Sequence, residues 1–304
     1  MHSYDLCLAW NWEYDEDFVN LFEMACISKD LTFLQATPKN IETLLSDSPL
    51  QNIALHYFWD RASEHDPRFK PLVDWITKQA IPWINDHEKT KHACDKAAMH
   101  YAFIHAGLHT PYTIILPPYT FQQQLKNLDL NPLGEKFAIK PAHGGGGEGV
   151  ILNAKTRDDV HAARQAHPDD HYLLQAHIDP IELDARPAWF RVIYCTGKSY
   201  PCWWDPQTHI YTPVTTDEEI NLGLSSLNAM VHKIAHLSGL DILSTEIALT
   251  ASGTFIAIDY INDQIDLRLQ SRAPDCVPDF IVQDIVDNLT EFILKKKNML
   301  FYRG

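Results

Sequence analysis

The sequence predicts a small parallel α/β layer over about the first ninety residues, followed by a longer region in which strands and helices are mixed. Apolar strand segments that alternate with helical patterns indicate the layer. The strand segments are residues 4–9, 31–34 and 52–58, and the helical patterns are residues 17–28 and 39–46. Glycine is absent before Gly107, so this layer has no glycine-rich phosphate turn. We interpret it as a substrate-side or scaffold domain.

The rest of the chain shows helical periodicity in four segments, with apolar strand patterns between them. The first of these helices is predicted to begin after the N-cap residue Asp95 and to end at Gly107. Its apolar face is expected to carry Ala98, Tyr101, Ala102 and His105. Other predicted strands are residues 150–153, 172–175, 190–194, 243–249 and 254–261, the last two paired across a turn, and the other helices are residues 158–166, 222–237 and 280–294.

A glycine run, Gly144, Gly145, Gly146 and Gly147, lies between an apolar strand that ends at Lys140 and a second apolar strand. Backbone amides without side chains can close over phosphates, and a lysine adds a point charge. The run also contains the spacing G-x-G-x-x-G, but a dinucleotide turn requires a helix after the loop, and a strand follows here. A bare hairpin turn is the alternative, although it needs fewer glycines. We predict a cover for a nucleoside triphosphate.

Three oxygen-bearing residues near the end of the predicted hairpin are candidates for holding a metal ion. Glu246 lies on one strand, and Asp259 and Asn262 lie on the next. Carboxylate and amide oxygens suit magnesium. Residues that share a strand face are two apart, whereas Asp259 and Asn262 are three apart, so either a bulge re-aims one of them or Asp263 replaces Asn262. The alternative is that these are solvated turn residues.

Arginine and tryptophan residues supply candidates for substrate contacts. Arg191 lies within an apolar strand, where it needs an anion such as a phosphate or a structural salt-bridge partner. Arg268 can hold a substrate carboxylate or lie at the surface. Trp203 and Trp204 can form an aromatic wall, and core packing explains them equally well.

Composition restricts the class of partner. The formal net charge of −15 argues against nucleic acid, which needs a basic surface. No apolar run approaches the roughly 18 residues of a membrane span, and the N-terminus has no leader pattern, so we expect a cytoplasmic protein. The six cysteines form no C-x-x-C pair and are expected to be reduced core thiols. P-loop and protein-kinase motifs are absent.

These segments in their order resemble the ATP-grasp superfamily over nearly the whole chain. The resemblance rests on Asp95-Lys with Gly107 and Pro111, Lys140-Pro with Gly144 to Gly149, Leu173-Leu-Gln-Ala-His-Ile178, Phe190-Arg-Val, Leu237-Ser-Gly-Leu-Asp241, Glu246, and Asp259 to Asn262. It implies an α/β and α+β architecture: a Rossmann-like domain at residues 1–90, a first lobe with the glycine-rich loop at residues 91–175, and a second lobe with the metal strands at residues 176–304.

The resemblance also implies roles for individual residues. Lys140 and Arg191 would act on the phosphoryl group, and Glu246, Asp259 and Asn262 would hold one or two Mg²⁺ ions, with Mn²⁺ as an alternative. Arg268, Trp203 and Trp204 remain the substrate candidates. The ATP-binding set would be Lys140, His143, Gly144, Gly145, Gly146, Gly147, Glu148, Gln175, Ala176, Ile178, Glu182 and His100. Two positions depart from the family: His100 stands where a cation is common, and Asp259-Tyr-Ile-Asn262 replaces a Glu-x-Asn pattern.

The expected activity is an ATP- and Mg²⁺-dependent ligase that joins a small-molecule carboxylate to an amine or thiol through an acyl phosphate. Two other hypotheses stay open. One is a small-molecule kinase on the same scaffold, and the other is a nucleotide-binding protein without catalysis, which the two departures motivate. The sequence does not identify the substrate, and it is compatible with a homodimer through the N-terminal layer.

Overall fold

The computed structural model describes residues 2–46 and 50–301, without the side chains of Gln51, Met299, Leu300 and Phe301. Its strands are β1 His2–Trp10, β2 Phe33–Ala36, β3 Ile53–Arg61, β4 Trp83–Ile84, β5 Thr113–Leu116, β6 Phe137–Pro141, β7 Ile151–Ala154, β8 Tyr172–Ala176, β9 Glu182–Leu183, β10 Arg186–Pro187, β11 Trp189–Cys195, β12 Lys198–Trp204, β13 Tyr211–Pro213, β14 Ile242–Leu249 and β15 Phe255–Asn262. Its helices are α1 Glu16–Ser28, α2 Ile41–Ser46, α3 Lys70–Lys78, α4 His87–Cys94, α5 Lys96–His105, α6 Arg157–Ala166, α7 Thr216–Asn221, α8 Ser226–Ser238 and α9 Asp279–Phe301.

The first sheet confirms the predicted parallel layer. Its order is β2-β1-β3-β4, and each neighbouring pair is parallel. Successive residues of β1 face opposite sides: Leu6 and Leu8 contact one apolar core, and Cys7 and Ala9 contact another. A parallel strand buried on both faces reads as a continuous apolar run, as this one does. The α3 helix and the short strand β4 were not predicted.

The last helix returns to the first sheet. Residues of α9, including Val282, Ile285 and Leu289, share one core with Phe18 and Phe22 of α1 and with Leu6 of β1. This core also includes Ile193 and Cys195 of β11. The two ends of the chain are therefore joined by packing of apolar side chains, a contact between residues far apart in sequence.

The second sheet has the order β5-β8-β6-β7 and is antiparallel. The glycine-rich loop joins β6 to β7, as predicted. Helix α6 follows β7 and begins with a capping box, in which Thr156 and Asp159 satisfy each other's backbone amides.

The third sheet has the order β13-β12-β11-β14-β15 and is antiparallel. One of its faces packs on α8 through Phe190, Val192 and Ile247, and the opposite face carries Arg191 and Trp204. The predicted pairing of residues 243–249 with 254–261 is observed in β14 and β15.

The apolar face predicted for α5 is wrong. Met99, His100 and Phe103 are buried, whereas Tyr101 is 64% exposed and His105 is exposed. Helix α5 packs between α8 and β15, so the buried stripe is set by two neighbours and is rotated from the one read off the sequence.

All six cysteines are unpaired, and five of them are buried, which agrees with the expectation of core thiols. Within the described residues, no helix combines the length and the apolar character that a membrane span requires.

Candidate active site

Three polar side chains stand in one row across the third sheet. Arg191 of β11 lies opposite Glu246 of β14, and Glu246 lies opposite Asp259 of β15. Directly opposed residues on neighbouring strands project from the same face of a sheet. The row therefore places a guanidinium beside two carboxylates, and Arg191 Nη1 is 3.4 Å from Glu246 Oε1.

A bulge in β15 accounts for the unusual spacing of Asp259 and Asn262. Asp259 pairs with Glu246 and Asn262 pairs with Ser244, so three steps along β15 match two steps along β14. One extra residue in a strand turns the next side chain back to the face it would otherwise leave. Of the two explanations offered by the sequence, the bulge is the one observed. Asp263 instead accepts a hydrogen bond from the Cys94 thiol at 3.3 Å.

Glu246 occupies a position that disfavours its charge. Its side chain is 15% exposed, and burial raises its pKa, with Asp259 adding to the effect and Arg191 and Trp189 opposing it. The Trp189 indole nitrogen donates to Oε2 at 3.1 Å. A divalent cation between the two carboxylates would remove the repulsion, so the donor set fits Mg²⁺.

Carboxylates of the described residues would not by themselves complete the coordination of a metal ion at this position. The described residues contain no group of three or more His, Cys, Asp or Glu side chains that could hold a metal ion. Further oxygen ligands would come from Asn262 and from a bound phosphate, which is the usual arrangement for magnesium at phosphoryl-transfer sites.

Two lysines lie between this row and the glycine-rich loop. Lys140 Nζ donates to the carbonyl of Ile258 at 3.2 Å, next to Asp259, and Lys96 Nζ donates to the carbonyl of Gly144 at 2.5 Å. Burial lowers the pKa of Lys96, Lys140 lowers it further, and Asp259 opposes the shift. The two ammonium groups therefore repel each other, and an anion between them would stabilise both.

Lys96 was not among the predicted site residues. The sequence marks Asp95 as the N-cap of α5, and the structure shows its side chain accepting from the amides of Ala97 and Ala98. The residue after an N-cap begins the helix, so Lys96 is held at the positive end of α5. The feature of the sequence that could have identified Lys96 is its position directly after the N-cap residue Asp95.

The glycine-rich loop has the backbone that its composition requires. Gly144, Gly146 and Gly147 have φ of 104°, 59° and 79°, and a Cβ at any of them would meet no other atom within 4 Å. The need for glycine here is therefore conformational rather than steric. All of residues 143–149 are exposed, Glu148 among them.

The loop is anchored at its base by His143. Asp170 accepts from the His143 amide at 2.9 Å, and its other oxygen lies 2.8 Å from Nδ1 of the His143 ring. A Cβ at Gly149 would lie 3.2 Å from Pro141 and 3.3 Å from His167, so the far end of the loop is closely packed. The middle glycines lie between two restrained ends.

The residues predicted to contact adenine and ribose lie at the end of β8 and in the segment that follows it. Gln175 is 3% exposed, and its amide nitrogen donates to the Tyr260 hydroxyl at 2.8 Å. The Ala176 amide donates to the carbonyl of Tyr112 at 2.9 Å. Ile178 is half-buried in the loop after β8, and Glu182 is exposed on β9.

His100 belongs to a buried cluster rather than to an open surface. It is 4% exposed, its Nδ1 lies 2.5 Å from the Tyr260 hydroxyl, and the two rings stack at 5.9 Å. Burial lowers the pKa of His100, so the ring is neutral and supplies no positive charge. Tyr260 was not among the predicted site residues. It lies in the bulge between Asp259 and Asn262, and its hydroxyl accepts a hydrogen bond from Gln175.

A cavity of about 590 Å³ opens at the Arg191 end of this row, between the first and third sheets. Arg191, Trp204, Tyr211 and Asn262 line one side of it, and residues following β1 and β3 line the other. The carboxyl ends of parallel strands are the usual location of ligands in such sheets. The cavity is large enough for a small-molecule substrate.

The predicted substrate residues separate in the structure. Trp204 lines the cavity and lies 4.8 Å from the Arg191 guanidinium. Trp203 is on the opposite sheet face and outside the cavity, and its ring is tilted against that of Phe190 with the centroids 4.7 Å apart. Arg268 lines the cavity, but its guanidinium donates to Asp266 at 2.8 Å and to Asp275 at 3.2 Å.

No protein-family model and no curated protein matches this sequence. Solved structures do match in shape. The D-alanine–D-alanine ligase from Bacillus anthracis, complexed with ATP, is 12% identical, with 100% of both chains covered and a TM-score of 0.66.

Two further structures match over nearly the whole chain. The RimK domain protein ATP-grasp from Sphaerobacter thermophilus is 16% identical, covers 95% of this chain and 99% of its own, and has a TM-score of 0.62. The macrocyclase MdnC from Microcystis aeruginosa, bound with the precursor peptide MdnA, is 12% identical, covers 93% and 98%, and has a TM-score of 0.59. The sheet order, the loop between β6 and β7, and this similarity lead to one conclusion: the chain has the ATP-grasp fold.

Proposed function

We propose that the protein is an ATP- and Mg²⁺-dependent ligase that activates a small-molecule carboxylate as an acyl phosphate and joins it to an amine or thiol. The observation that carries this proposal is the row formed by Arg191, Glu246 and Asp259, which faces Lys140 and Lys96 below the glycine-rich loop. It combines a metal-binding carboxylate pair with cations and a flexible cover. The ligases among the similar structures support the same class.

In the proposed reaction, a carboxylate oxygen attacks the terminal phosphorus of ATP, and the bond from that phosphorus to the bridging oxygen breaks to release ADP. The amine nitrogen then attacks the acyl carbon, the C–O bond to phosphate breaks, and the nitrogen loses a proton to solvent. Bound Mg²⁺ would neutralise charge on the phosphates.

Each protein group has a role in that sequence. Lys96 and Lys140 would hold the phosphates, and the backbone of residues 144–149 would cover them. Arg191 would stabilise charge on the transferring phosphoryl group, which demands a positive charge already in position. The backbone of Ala176 and Ile178 would contact adenine, and Glu182 would bind the ribose. His143 and Asp170 would hold the loop.

The three-segment division at residues 1–90, 91–175 and 176–304 is retained as part of the proposal, since each segment supplies one of the sheets. Helix α9 also packs on the first sheet, so the third segment would not separate cleanly from the first. The bulge in β15 accounts for the spacing that motivated a protein without catalysis.

The test is the fate of the terminal phosphate of ATP. Purified protein is incubated with ATP, Mg²⁺ and pooled carboxylates and amines, and ADP and phosphate are measured with and without hydroxylamine, which traps an acyl phosphate as a hydroxamate. A ligase releases ADP and free phosphate and forms a hydroxamate. A stable phosphorylated acceptor would instead identify a kinase, and no nucleotide turnover with any pool would argue for a binding protein.

A further inference from the structure

The charge distribution in the 590 Å³ cavity indicates which substrate it accepts. Five carboxylates line it, from Asp15, Asp60, Glu64, Asp266 and Asp275, against three guanidinium groups, from Arg61, Arg191 and Arg268. The other lining residues that can carry a positive charge are two histidines, His65 and His209, and both are exposed. The lining therefore carries an excess of negative charge.

Every arginine in the lining is already paired. Arg61 donates to both oxygens of Asp15, at 2.9 and 3.0 Å, and Arg268 donates to Asp266 and Asp275. Arg191 lies beside Glu246. An anionic group that entered the outer part of the cavity would compete with these carboxylates for the guanidinium groups.

Two carboxylates, by contrast, have no cationic partner in the part of the chain that the structure describes. Asp60 accepts from the amides of Ala62 and Ser63 and from the Ser63 hydroxyl, and a carboxylate has further lone pairs available. Glu64 is exposed and makes no hydrogen bond or ion pair with the described residues. An ammonium group could therefore pair with either carboxylate without disrupting an existing pair.

An aromatic ring also lines the cavity, and it already contacts one cation. Trp12 lines the cavity and is 42% exposed, with the Arg268 guanidinium 5.2 Å from its ring centroid. Aromatic faces attract cations, and organic ammonium groups in particular. The carboxylates and the ring therefore favour the same class of ligand.

We propose that this cavity binds an organic cation of the diamine or polyamine class, with one ammonium group at Asp60 and Glu64 and a second amine directed toward Arg191 and Asn262. The amine that attacks an acyl phosphate must be uncharged, so the charge that complements the acidic wall belongs to the other nitrogen. Only the role of the second amine as nucleophile depends on the proposed function. Binding of the cation does not.

The experiment compares three amines with the same four-carbon chain, whose far ends are positive, neutral and negative: putrescine, aminobutanol and γ-aminobutyrate. Their binding to the full chain is measured by calorimetry without nucleotide. We expect putrescine to bind at least about tenfold more tightly than aminobutanol. We also expect its affinity to fall as the sodium chloride concentration is raised. Equal or tighter binding of γ-aminobutyrate, or no saturable binding of putrescine, overturns the proposal.

Variants locate the site. Glu64→Gln removes one exposed charge and is expected to weaken putrescine binding about three- to tenfold. Glu135→Gln is the matched control, because Glu135 is exposed, lies outside the cavity and makes no side-chain hydrogen bond or ion pair with the described residues. Trp12→Leu is expected to weaken binding more than Trp12→Phe, which keeps an aromatic face. Unchanged affinity in Glu64→Gln and Trp12→Leu together would contradict this location.

The two proposals fail separately. If putrescine binds as described but ADP is never released, the ligase proposal fails and the cavity assignment stands. If ADP is released with other amines while putrescine does not bind, the cavity assignment fails and the ligase proposal stands.

Discussion

Glu246 and Asp259 lie directly opposite each other on β14 and β15, and both project from the sheet face that carries Arg191. Two carboxylates held side by side in a largely buried position repel each other. Arg191 opposes that repulsion, yet the pKa of Glu246 is still raised because burial disfavours its charged form. A pair of this kind is stabilised by a bound cation.

Neutralising either carboxylate should weaken the response to magnesium. We expect Glu246→Gln and Asp259→Asn to raise the Mg²⁺ concentration needed for ATP to stabilise the protein by at least about tenfold, or about 1.4 kcal/mol. The measurement is a thermal melt with ATP over a magnesium titration, with Glu135→Gln as the exposed control. A wild-type magnesium response in both variants would exclude this pair as the metal site.

The two lysines should act together on ATP. We expect Lys96→Met and Lys140→Met each to weaken ATP binding by about ten- to a hundredfold, because each removes a charge-assisted contact to phosphate. Lys136→Met, at an exposed position before β6, should leave ATP affinity unchanged. Direct titration with ATP and Mg²⁺ measures the effect. If ATP affinity fell only in Lys140→Met, Lys96 would not be part of the ATP site.

The glycine-rich loop permits a comparison between neighbouring residues. Gly144→Ala and Gly146→Ala place a side chain at positive φ, which costs about 1 kcal/mol, whereas Gly145 has no such conformation. We expect the first two to raise the KM for ATP several-fold and Gly145→Ala to change it little. The same strain should lower the melting temperature without nucleotide by about 2–4 °C in Gly144→Ala and Gly146→Ala, and Gly145→Ala should leave it unchanged. Equal effects at the three positions would mean that backbone conformation is not what the loop requires.

Glu218 should make folding stability depend on acidic pH. Its carboxylate accepts from the Thr215 amide and hydroxyl and pairs with Arg186, and although burial acts in the opposite direction these contacts lower its pKa from 4.5 to about 2. A folded-state pKa below the unfolded value stabilises the protein above about pH 4.5, and this contribution is lost as pH falls toward 2.

The size of that contribution is about 1–2 kcal/mol, allowing for solvent screening near the surface. Glu218→Gln should therefore lower the free energy of unfolding at neutral pH and flatten its decline in acid. Urea unfolding between pH 2.5 and 7 measures both effects. Glu219→Gln, on the same helix turn, is the comparison variant, and an identical acid profile in Glu218→Gln and wild type would show that the pair contributes nothing.

Local patterns were sufficient for much of the fold. The alternation in the first ninety or so residues predicted the parallel sheet, and the glycine run between apolar strands predicted the loop between β6 and β7. Strand β12 was missed because Pro201 lies within it and lacks an amide proton, a feature that argues against a strand. Helix α3 was missed because only Leu72 and Ile76 are buried on it.

The sequence by itself determined the residue types of the site, because oxygen ligands, a lysine-ended strand and consecutive glycines are local features that chemistry interprets without coordinates. It also led to the ATP-grasp fold through their order. Only the tertiary structure decided that a bulge aligns Asn262 with Asp259, that His100 is buried against Tyr260, that Lys96 reaches the loop, and that Trp204 rather than Trp203 lines the cavity. Each of these depends on strand register or on packing between distant segments, and neither is encoded by neighbouring residues alone.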